Sequence, residues 1–306
     1  MFRIFMWCLQ ESNQGHMDFQ SIALPTELRH HSHECGCKYR CIFIIPKKNI
    51  IKKCFRKFTT FSTCMNLIVD VGNTYVKLAV FAYNDLLMNQ SVAHENAQKV
   101  TKRIIKDYPK LKKAIISSVG KDDEELLELL DKHFELLKLT SKTKLPFKND
   151  YHTPKTLGVD RIALVSASVE KFTNNNVLII DAGTCITYDF INDKNHYIGG
   201  AISPGIRLRY HTLNNLTANL PLLDAEYPDD IIGKTTDQSI HSGVINGVLK
   251  EMDGVIDEYL EKYQDLTVIL TGGDAVFLSK RLKNSIFANS IFLLEGLNFI
   301  LEYNTH

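Results

Sequence analysis

Two stretches of the chain carry an aspartate, a glycine and small polar side chains in the same order. Residues 67–74 read LIVDVGNT, and residues 178–184 read LIIDAGT. A carboxylate in such a turn can hold a divalent cation, while hydroxyls and backbone N–H groups bind phosphate oxygens. The glycine lets the backbone turn tightly and approach a ligand closely. We therefore predict two phosphate-facing hairpins, which carry Asp70 and Asp181 and face each other across a cleft.

The loop that leads from Tyr151 into a predicted helix has the residue types needed to bind and activate an alcohol. Gly158 gives access to the backbone, and Asp160 and Arg161 follow within three positions. An aspartate in the first turn of a helix commonly caps the helix or compensates its dipole. The same carboxylate can deprotonate an alcohol while Arg161 binds a substrate carboxylate bidentately. The residues alone leave both interpretations open.

Two glycine-rich segments each connect a predicted strand to a predicted helix. Residues 199–206 read GGAISPGI, and residues 269–275 read ILTGGDA. The first is also compatible with an ordinary strand-to-helix connection that has proline near the helix start. The second can place nucleotide phosphates near a helix N-terminus, although a Gly-Gly turn is about as often structural.

Together, five motifs resemble those of the type III pantothenate kinases, in that family's order and over about residues 65–304. The motifs are DVGNT at 70–74, GVDR at 158–161, DAGT at 181–184, GGAISPG at 199–205 and TGGD at 271–274. The resemblance implies an α/β fold of the acetate and sugar kinase, Hsc70 and actin superfamily. That fold has two duplicated RNase H-like domains, with mixed sheets flanked by helices and a cleft between them.

The resemblance also implies an activity and a role for each matching residue. The activity is ATP-dependent phosphorylation of the primary hydroxyl of pantothenate, the first step of coenzyme A synthesis, by a homodimer. Asp160 is expected to be the general base, Asp181 to bind potassium or ammonium, and Asp70 to lie near magnesium. Thr236, or its neighbour Thr235, is expected to reach pantothenate in the partner subunit. ATP is expected to contact Asp70, Val71, Gly72, Asn73, Thr74, Tyr75, Val76, Lys77 and Thr184, and pantothenate to contact Tyr151, Gly158, Val159, Asp160 and Arg161.

Predicted strands and helices alternate after Met65, which is typical of an α/β chain. Asn174 to Asn176 mark the boundary between an N-terminal domain at 65–175 and a C-terminal domain at 176–306. We predict strands at 66–71, 75–82, 113–118, 134–139, 177–181, 186–191, 196–202 and 266–271. We predict helices at 96–107, 122–132, 159–172, 237–262, 274–283 and 295–303, and a further helix after Gly205.

Residues 1–64 differ from the rest of the chain. They hold ten Lys and Arg against four Asp and Glu, and six of the seven cysteines. Three histidines and three cysteines between His30 and Cys41 are suitable zinc ligands, but their spacing is unlike that of a tetrahedral zinc site. We interpret this segment as a disordered leader or a start assigned too early, with Met65 as the natural start of the folded protein.

The composition of the chain limits its environment and partners. The net charge of +1 gives no general reason to expect a nucleic acid or an anionic membrane as a partner. No apolar run reaches the roughly 18–20 residues that a membrane span needs. Cys185 is the only cysteine after residue 64, and we expect it to face the core. The absence of a disulfide framework after residue 64 favours a reducing, cytoplasmic location.

Two other classes of function compete with the pantothenate kinase interpretation. One is another kinase or phosphatase with the same fold, because a fold alone does not determine the substrate. The position of Tyr151 before the GVDR motif argues against this class. The other is a nonenzymatic nucleotide-binding regulator. The intact Asp70, Asp160 and Asp181 argue against such a regulator, and the chain after residue 64 has no basic nucleic-acid-binding face.

Overall fold

Two mixed β-sheets with the same internal strand order form the framework of the protein. The computed structural model describes residues 65–120 and 123–305. The predictions for residues 1–64, including the His and Cys cluster, lie outside the described residues. The first sheet has the order β3-β2-β1-β4-β5. Its strands are β1 (Met65–Val71), β2 (Val76–Ala82), β3 (Asp85–Val92), β4 (Leu111–Ser118) and β5 (Glu135–Lys138).

The second sheet repeats the arrangement of the first. It has the order β11-β10-β7-β8-β9-β6, which is the first order read in reverse with β6 added at the edge. In both sheets the first strand of the repeat pairs antiparallel with the second and parallel with the fourth. Its strands are β6 (Lys148–Asn149), β7 (Val177–Ala182), β8 (Cys185–Ile191), β9 (His196–Pro204), β10 (Thr267–Thr271) and β11 (Phe287–Ala288).

Eight α-helices flank the sheets within the described residues. They are α1 (Ala97–Asp107), α2 (Glu124–His133), α3 (Val159–Lys171), α4 (Ile206–Asn215), α5 (Thr236–His241), α6 (Gly247–Lys262), α7 (Ala275–Ser279) and α8 (Phe292–Thr305). A π-helical turn at Ser242–Asn246 joins α5 to α6. No described helix has both the length and the apolar character required to cross a lipid bilayer.

The central strands of each sheet are buried on both faces. Their side chains alternate between these faces, so neighbouring residues of one strand pack into different cores. In β1, Leu67 and Val69 pack into an outer core with α1 and α2, whereas Ile68 packs into a central core. In β7, Leu178 packs into another outer core with α4, α6 and α7, whereas Ile179 packs into the central core. By the same alternation, Asp70 and Asp181 lie on the central faces of their sheets.

The central core is formed by residues of both sheets together with α3 and α8. These two helices approach each other closely at Gly296, where a Cβ atom would overlap the backbone carbonyl of Ala163. Nine consecutive residues of α3, Arg161 to Val169, are buried, because α3 is covered on all sides. Helix α3 also contacts β4, β7 and β8, and Asp160 lies in its first turn.

The predicted fold class is confirmed, and the structure corrects three details of the predicted elements. The edge strand β3 was not predicted, because only alternate side chains of Asp85–Val92 are partly covered. The predicted helix at 274–283 is limited to Ala275–Ser279. The predicted helix at 237–262 contains the π-helical turn. The domain boundary at residues 175 and 176 stays a prediction, and the short strand β6, which precedes it, belongs to the second sheet.

Candidate active site

Asp70 ends the apolar part of β1 and is flanked by side chains from both neighbouring strands. It pairs with Lys77 in β2 and with Ser117 in β4, so the three side chains lie on one face of the sheet. The Ser117 hydroxyl donates a 2.7 Å hydrogen bond to Asp70 Oδ1, and Lys77 Nζ lies 3.8 Å from Asp70 Oδ2. Burial raises the pKa of Asp70, while Lys77 and Ser117 oppose this rise.

The turn after Asp70 exposes the polar residues that were predicted to contact ATP. The Gly72 N–H donates a 3.1 Å hydrogen bond to the Tyr75 carbonyl, which closes the turn. The side chains of Asn73, Thr74 and Tyr75 are exposed at its tip. Val71 and Val76, by contrast, are buried in the outer core. Their predicted contact with ATP is therefore restricted to the backbone.

Asp181 occupies the equivalent position at the end of β7. The Gly183 N–H donates a 2.9 Å hydrogen bond to the Cys185 carbonyl, and Thr184 is exposed at the tip of this second hairpin. Cys185 is also exposed, so the prediction that it faces the core is wrong. It is the first residue of β8 and lies where the strand leaves the turn, before the buried part of the sheet begins.

Both glycine-rich segments pack against the hairpin of Asp181. Gly272 has a φ of +96°, and a Cβ atom there would overlap Asp181 Oδ1 and the Ala182 carbonyl. A Cβ atom at Gly205 would overlap the carbonyl of Gly183. The backbone N–H of Asp274 donates a 2.9 Å hydrogen bond to the Ala182 carbonyl. These close approaches explain the glycines of both segments and fix the position of the Asp181 turn.

The three aspartates singled out in the sequence interact electrostatically. Burial raises the pKa of Asp181 to about 7, and the carboxylates of Asp160 and Asp70 add to this rise, whereas Lys77 opposes it. Asp160 also adds to the effect of burial on the pKa of Asp70. Lys77 therefore lies close enough to attract both hairpin carboxylates. These three carboxylates and Lys77 are therefore the candidate site.

The side chain of Asp160 is held at the N-terminus of α3 by the backbone of the next residue. Its Oδ1 accepts a 2.8 Å hydrogen bond from the Arg161 N–H. A Cβ atom at Gly158 would overlap the same oxygen, so a larger residue there would displace the Asp160 carboxylate. Val159 is only partly buried beside it. The carboxylate of Asp160 keeps its second oxygen available to a ligand or to a substrate proton.

Arg161 does not extend into solvent but lies in a buried ion pair. It is 5% exposed, and its Nε–H donates a 2.8 Å hydrogen bond to Oδ1 of the fully buried Asp189. The hydroxyl of Tyr197 donates to the same oxygen at 2.7 Å. Burial alone would lower the pKa of Arg161, but Asp189 outweighs this effect and raises it. The Arg161 guanidinium also lies 5.7 Å from the centre of the Tyr151 ring.

The structure distinguishes the two adjacent threonines before α5. Thr235 is the N-cap of this helix, and its side chain accepts a 3.2 Å hydrogen bond from the Gln238 N–H. Thr236 is the first helical residue, and its side chain is exposed. Capping satisfies one of the free N–H groups of the helix. Thr236 is therefore the residue whose hydroxyl is available to another molecule.

The carboxylate oxygens at the site are suitable ligands for cations that a bound nucleotide also coordinates. Asp70, Asp160 and Asp181 supply carboxylate oxygens, which both magnesium and potassium accept, and Lys77 supplies only one compensating charge. Within residues 65–120 and 123–305, no three His, Cys, Asp or Glu side chains are close enough to enclose a metal ion. Magnesium commonly takes one or two carboxylates and completes its shell with phosphates and water, so this donor set is suitable.

Two residues of the site were not identified from the sequence. Ser117 lies inside an apolar strand, and its pairing with Asp70 depends on the register of β1 and β4. Asp189 lies in a run of otherwise buried, mostly apolar residues in β8. A charged residue in the middle of such a strand is the signal that would have indicated it, since buried charges are almost always paired.

Comparisons with known proteins identify the family of the chain. A family model described as type III pantothenate kinase matches residues 66–258. Type III pantothenate kinases from Christiangramia forsetii and Bacteroides fragilis are 52% and 41% identical to the chain over 240 and 243 residues. The alignments cover 78% of this chain and 99% and 98% of those proteins.

A solved structure shows the same fold at lower identity. It is a protein from Campylobacter jejuni described as a Baf family transcriptional activator, with a TM-score of 0.53 and 20% identity. The match covers 78% of this chain and 98% of that one. This likeness concerns the fold alone, whereas the family model and the relatives concern the sequence. From these sequence matches, the chain belongs to the type III pantothenate kinase family.

Proposed function

We propose that the protein transfers the γ-phosphoryl group of ATP to the primary hydroxyl of pantothenate, with Asp160 as the general base. The observation that carries this proposal is the sequence match to type III pantothenate kinases, together with Asp70 and Asp181 at equivalent turns of the two sheets. Asp160 accepts the hydroxyl proton, the oxygen forms a bond to the γ-phosphorus, and the bond to the β-phosphate oxygen breaks to release ADP. The product is 4′-phosphopantothenate.

The ATP phosphates bind between the two hairpins. The exposed turn at residues 72–75 and the exposed Thr184 supply hydroxyls and backbone N–H groups, and Lys77 supplies a positive charge. Phosphoryl transfer depends mainly on positioning and on neutralising charge. Magnesium beside Asp70 and a monovalent cation, potassium or ammonium, on Asp181 supply the remaining neutralisation when they are bound. Asp70 and Asp181 would hold these cations, which would compensate the negative charge of both carboxylates.

Pantothenate binds at the N-terminus of α3. Gly158 and Val159 border Asp160, while Tyr151 and Arg161 form the wall next to them. The substrate has a carboxylate at the opposite end from its primary hydroxyl, and Arg161 is the positively charged group of this wall. Its remaining N–H groups are suited to that carboxylate.

The enzyme acts as a cytoplasmic homodimer in which Thr236 reaches the pantothenate of the partner subunit. The support for a dimer is a series of exposed apolar side chains in β9 and in the segments around α4. Ile202 is 64% exposed and Leu216 is 78% exposed, and Ile231 and Ile232 lie shortly before Thr236. Exposed apolar patches of this kind are typical of protein–protein contacts.

An ADP-release assay tests the function. The purified chain is incubated with ATP, magnesium and potassium, and with pantothenate, glucose or no acceptor. We expect ADP release that requires pantothenate and a product heavier by one phosphoryl group in mass spectrometry. ADP release with glucose but not pantothenate would instead favour a sugar kinase of the same fold. ATP binding without turnover on either acceptor would favour a nonenzymatic regulator.

A further inference from the structure

A buried polar network connects the predicted pantothenate wall to the second sheet. Its members are Tyr151 in a loop, Arg161 in α3, Asp189 in β8 and Tyr197 in β9. Asp189 is 0% exposed and receives hydrogen bonds from Arg161 Nε and from the Tyr197 hydroxyl. The Tyr197 ring itself is fully buried and lies 6.0 Å from the Tyr151 ring, centre to centre.

Gly200 lets strand β9 approach β8 beside this network, and Gly199 supplies a backbone conformation that other residues rarely adopt. Asp189 pairs with Gly200 across β8 and β9, and a Cβ atom at Gly200 would overlap the carbonyl of Tyr188. Gly199 has a φ of +133°, and a Cβ atom there would lie 3.6 Å from the Tyr151 ring. The Gly-Gly pair therefore lets strand β9 run close to β8 while Tyr151 covers the outer side of the network.

The ion pair between Arg161 and Asp189 is not bidentate. Both Nε and Nη2 of Arg161 approach the same oxygen, Asp189 Oδ1, at 2.8 Å and 2.7 Å. In the part of the chain that the structure describes, Nη2 lies close to Oδ1 but is not aligned for a hydrogen bond to it, and Asp189 Oδ2 is buried without a hydrogen-bond partner. An arginine–carboxylate pair that served only stability would be expected to adopt the bidentate geometry, in which each carboxylate oxygen accepts one N–H. Unmade hydrogen bonds of buried charged groups are costly, so a carboxylate ligand that accepts from the remaining N–H groups of Arg161 binds favourably.

We propose that Asp189 is a positioning residue for pantothenate, which together with Tyr197 fixes the Arg161 guanidinium so that the N–H groups it does not direct at Asp189 meet the substrate carboxylate. This inference rests on the proposed function. Asp189 does not touch the substrate and acts through Arg161. Because the contact with the carboxylate is far from the reacting hydroxyl, its loss weakens substrate binding in the ground state and raises KM more than it lowers kcat.

The test is a double-mutant cycle of Asp189→Asn and Arg161→Gln with pantothenate as the varied substrate. Asp189→Asn is expected to raise the KM for pantothenate about tenfold, to leave kcat within about threefold, and to leave the KM for ATP within about twofold. In the Arg161→Gln background the same substitution is expected to change the KM for pantothenate less than about twofold, since no guanidinium remains to be positioned. Asp193→Asn, an exposed aspartate in the same hairpin, is the matched control and is expected to behave as wild type.

A second substrate and a second variant separate positioning from a structural role. Panthenol has an alcohol in place of the carboxylate, and Asp189→Asn is expected to change its KM less than about twofold. Tyr197→Phe keeps both charges of the ion pair, so it tests the same idea if Asp189→Asn leaves Arg161 buried without a counter-charge and fails to fold. It is expected to raise the KM for pantothenate about threefold, again only when Arg161 is present.

The inference is overturned if Asp189→Asn or Tyr197→Phe raises the KM for pantothenate equally in the Arg161→Gln background. It is also overturned if the KM values for ATP and panthenol rise together with that for pantothenate, because that pattern indicates general distortion. The wild-type measurements test the proposed function separately. If the wild-type protein does not phosphorylate pantothenate, the proposed function is wrong, whatever the variants do.

Discussion

The side chains of Ser117 and Asp70, on adjacent parallel strands, are joined by a 2.7 Å hydrogen bond in which the serine hydroxyl donates to the carboxylate. Both side chains are buried, so water does not replace this bond. It holds one oxygen of Asp70 and leaves the other toward Lys77. Ser117 thus fixes the orientation of the carboxylate that we assign to the magnesium side of the ATP site.

Replacing Ser117 with alanine is expected to impair the use of magnesium-ATP. Hydrogen bonds to charged groups contribute about 1.5–3 kcal/mol, so kcat/KM for magnesium-ATP is expected to fall about tenfold or more. Initial rates at varied magnesium-ATP measure this. Ser118→Ala is the matched control, because among the described residues the Ser118 hydroxyl hydrogen-bonds only to the Gly120 carbonyl, at 3.5 Å. Equal effects of the two substitutions would contradict the role of Ser117.

Asp160→Asn is expected to remove catalysis while ATP still binds. General base catalysis contributes about 100- to 10,000-fold to a rate, and asparagine cannot accept the hydroxyl proton. Turnover with pantothenate and the dissociation constant of ATP, measured by calorimetry, give the two readouts. A variant with wild-type turnover would rule out Asp160 as the base.

The two threonines before α5 are expected to respond differently to substitution. Thr235→Ala removes the helix cap and is expected to lower the free energy of unfolding by about 1 kcal/mol. Thr236→Val is expected to leave stability nearly unchanged and to raise the KM for pantothenate roughly fivefold, because it removes one neutral hydrogen bond. Urea denaturation and steady-state kinetics of both variants measure the difference. The reverse pattern would exchange their roles.

The raised pKa of Asp181 predicts how stability changes with pH. Its folded pKa of about 7 lies above the usual aspartate value of about 3.9. The folded chain therefore binds more protons than the unfolded chain between these values, and the contribution of Asp181 to the free energy of unfolding decreases as pH rises through this window. Without added potassium or magnesium, Asp181→Asn is expected to melt about 3–8 °C higher than wild type at pH 8.

A monovalent cation on Asp181 would offset this loss of stability. Potassium chloride, compared with an equal concentration of tetramethylammonium chloride, is expected to raise the melting temperature of wild type at pH 8 and not that of Asp181→Asn. Differential scanning fluorimetry measures both effects. If the melting temperature of Asp181→Asn fell with pH as steeply as that of wild type, the loss would have to be attributed to other groups, such as Asp70.

Two helical glycines provide a test of the packing between α3 and α8. Gly296→Ala would place a Cβ atom against the Ala163 carbonyl and is expected to cost about 1–3 kcal/mol or more of unfolding free energy. Gly254→Ala in α6 meets no atom within 4 Å and is expected to stabilise the protein by about 0.5–1 kcal/mol. Urea denaturation of both variants measures this difference. A neutral Gly296→Ala would show that the two helices can separate without loss.

The order of apolar residues, aspartates and glycines along the chain was sufficient to predict individual strands and turns. Apolar runs that end in Asp70 or Asp181 identified β1 and β7, and the glycines after them identified the turns. Long-range pairing could not be read from the sequence. Ser117 becomes a partner of Asp70 only through the register of two strands, and Arg161 meets Asp189 only because α3 packs against β8. Edge strand β3 could not be predicted, because none of its first seven side chains is buried.

The last helix of the chain has a consequence for biosynthesis. Helix α8 supplies Leu294, Leu297 and Leu301 to the core that covers the inner side of the first sheet, and its Asn298 accepts a hydrogen bond from Asn66 in the first strand. A ribosome that adds about 5–20 residues per second needs on the order of ten to thirty seconds to reach this helix after completing β5. Throughout that interval the earliest strands of the nascent polypeptide have an open hydrophobic surface, so newly made chains are expected to depend on chaperones until α8 has been synthesised and packs.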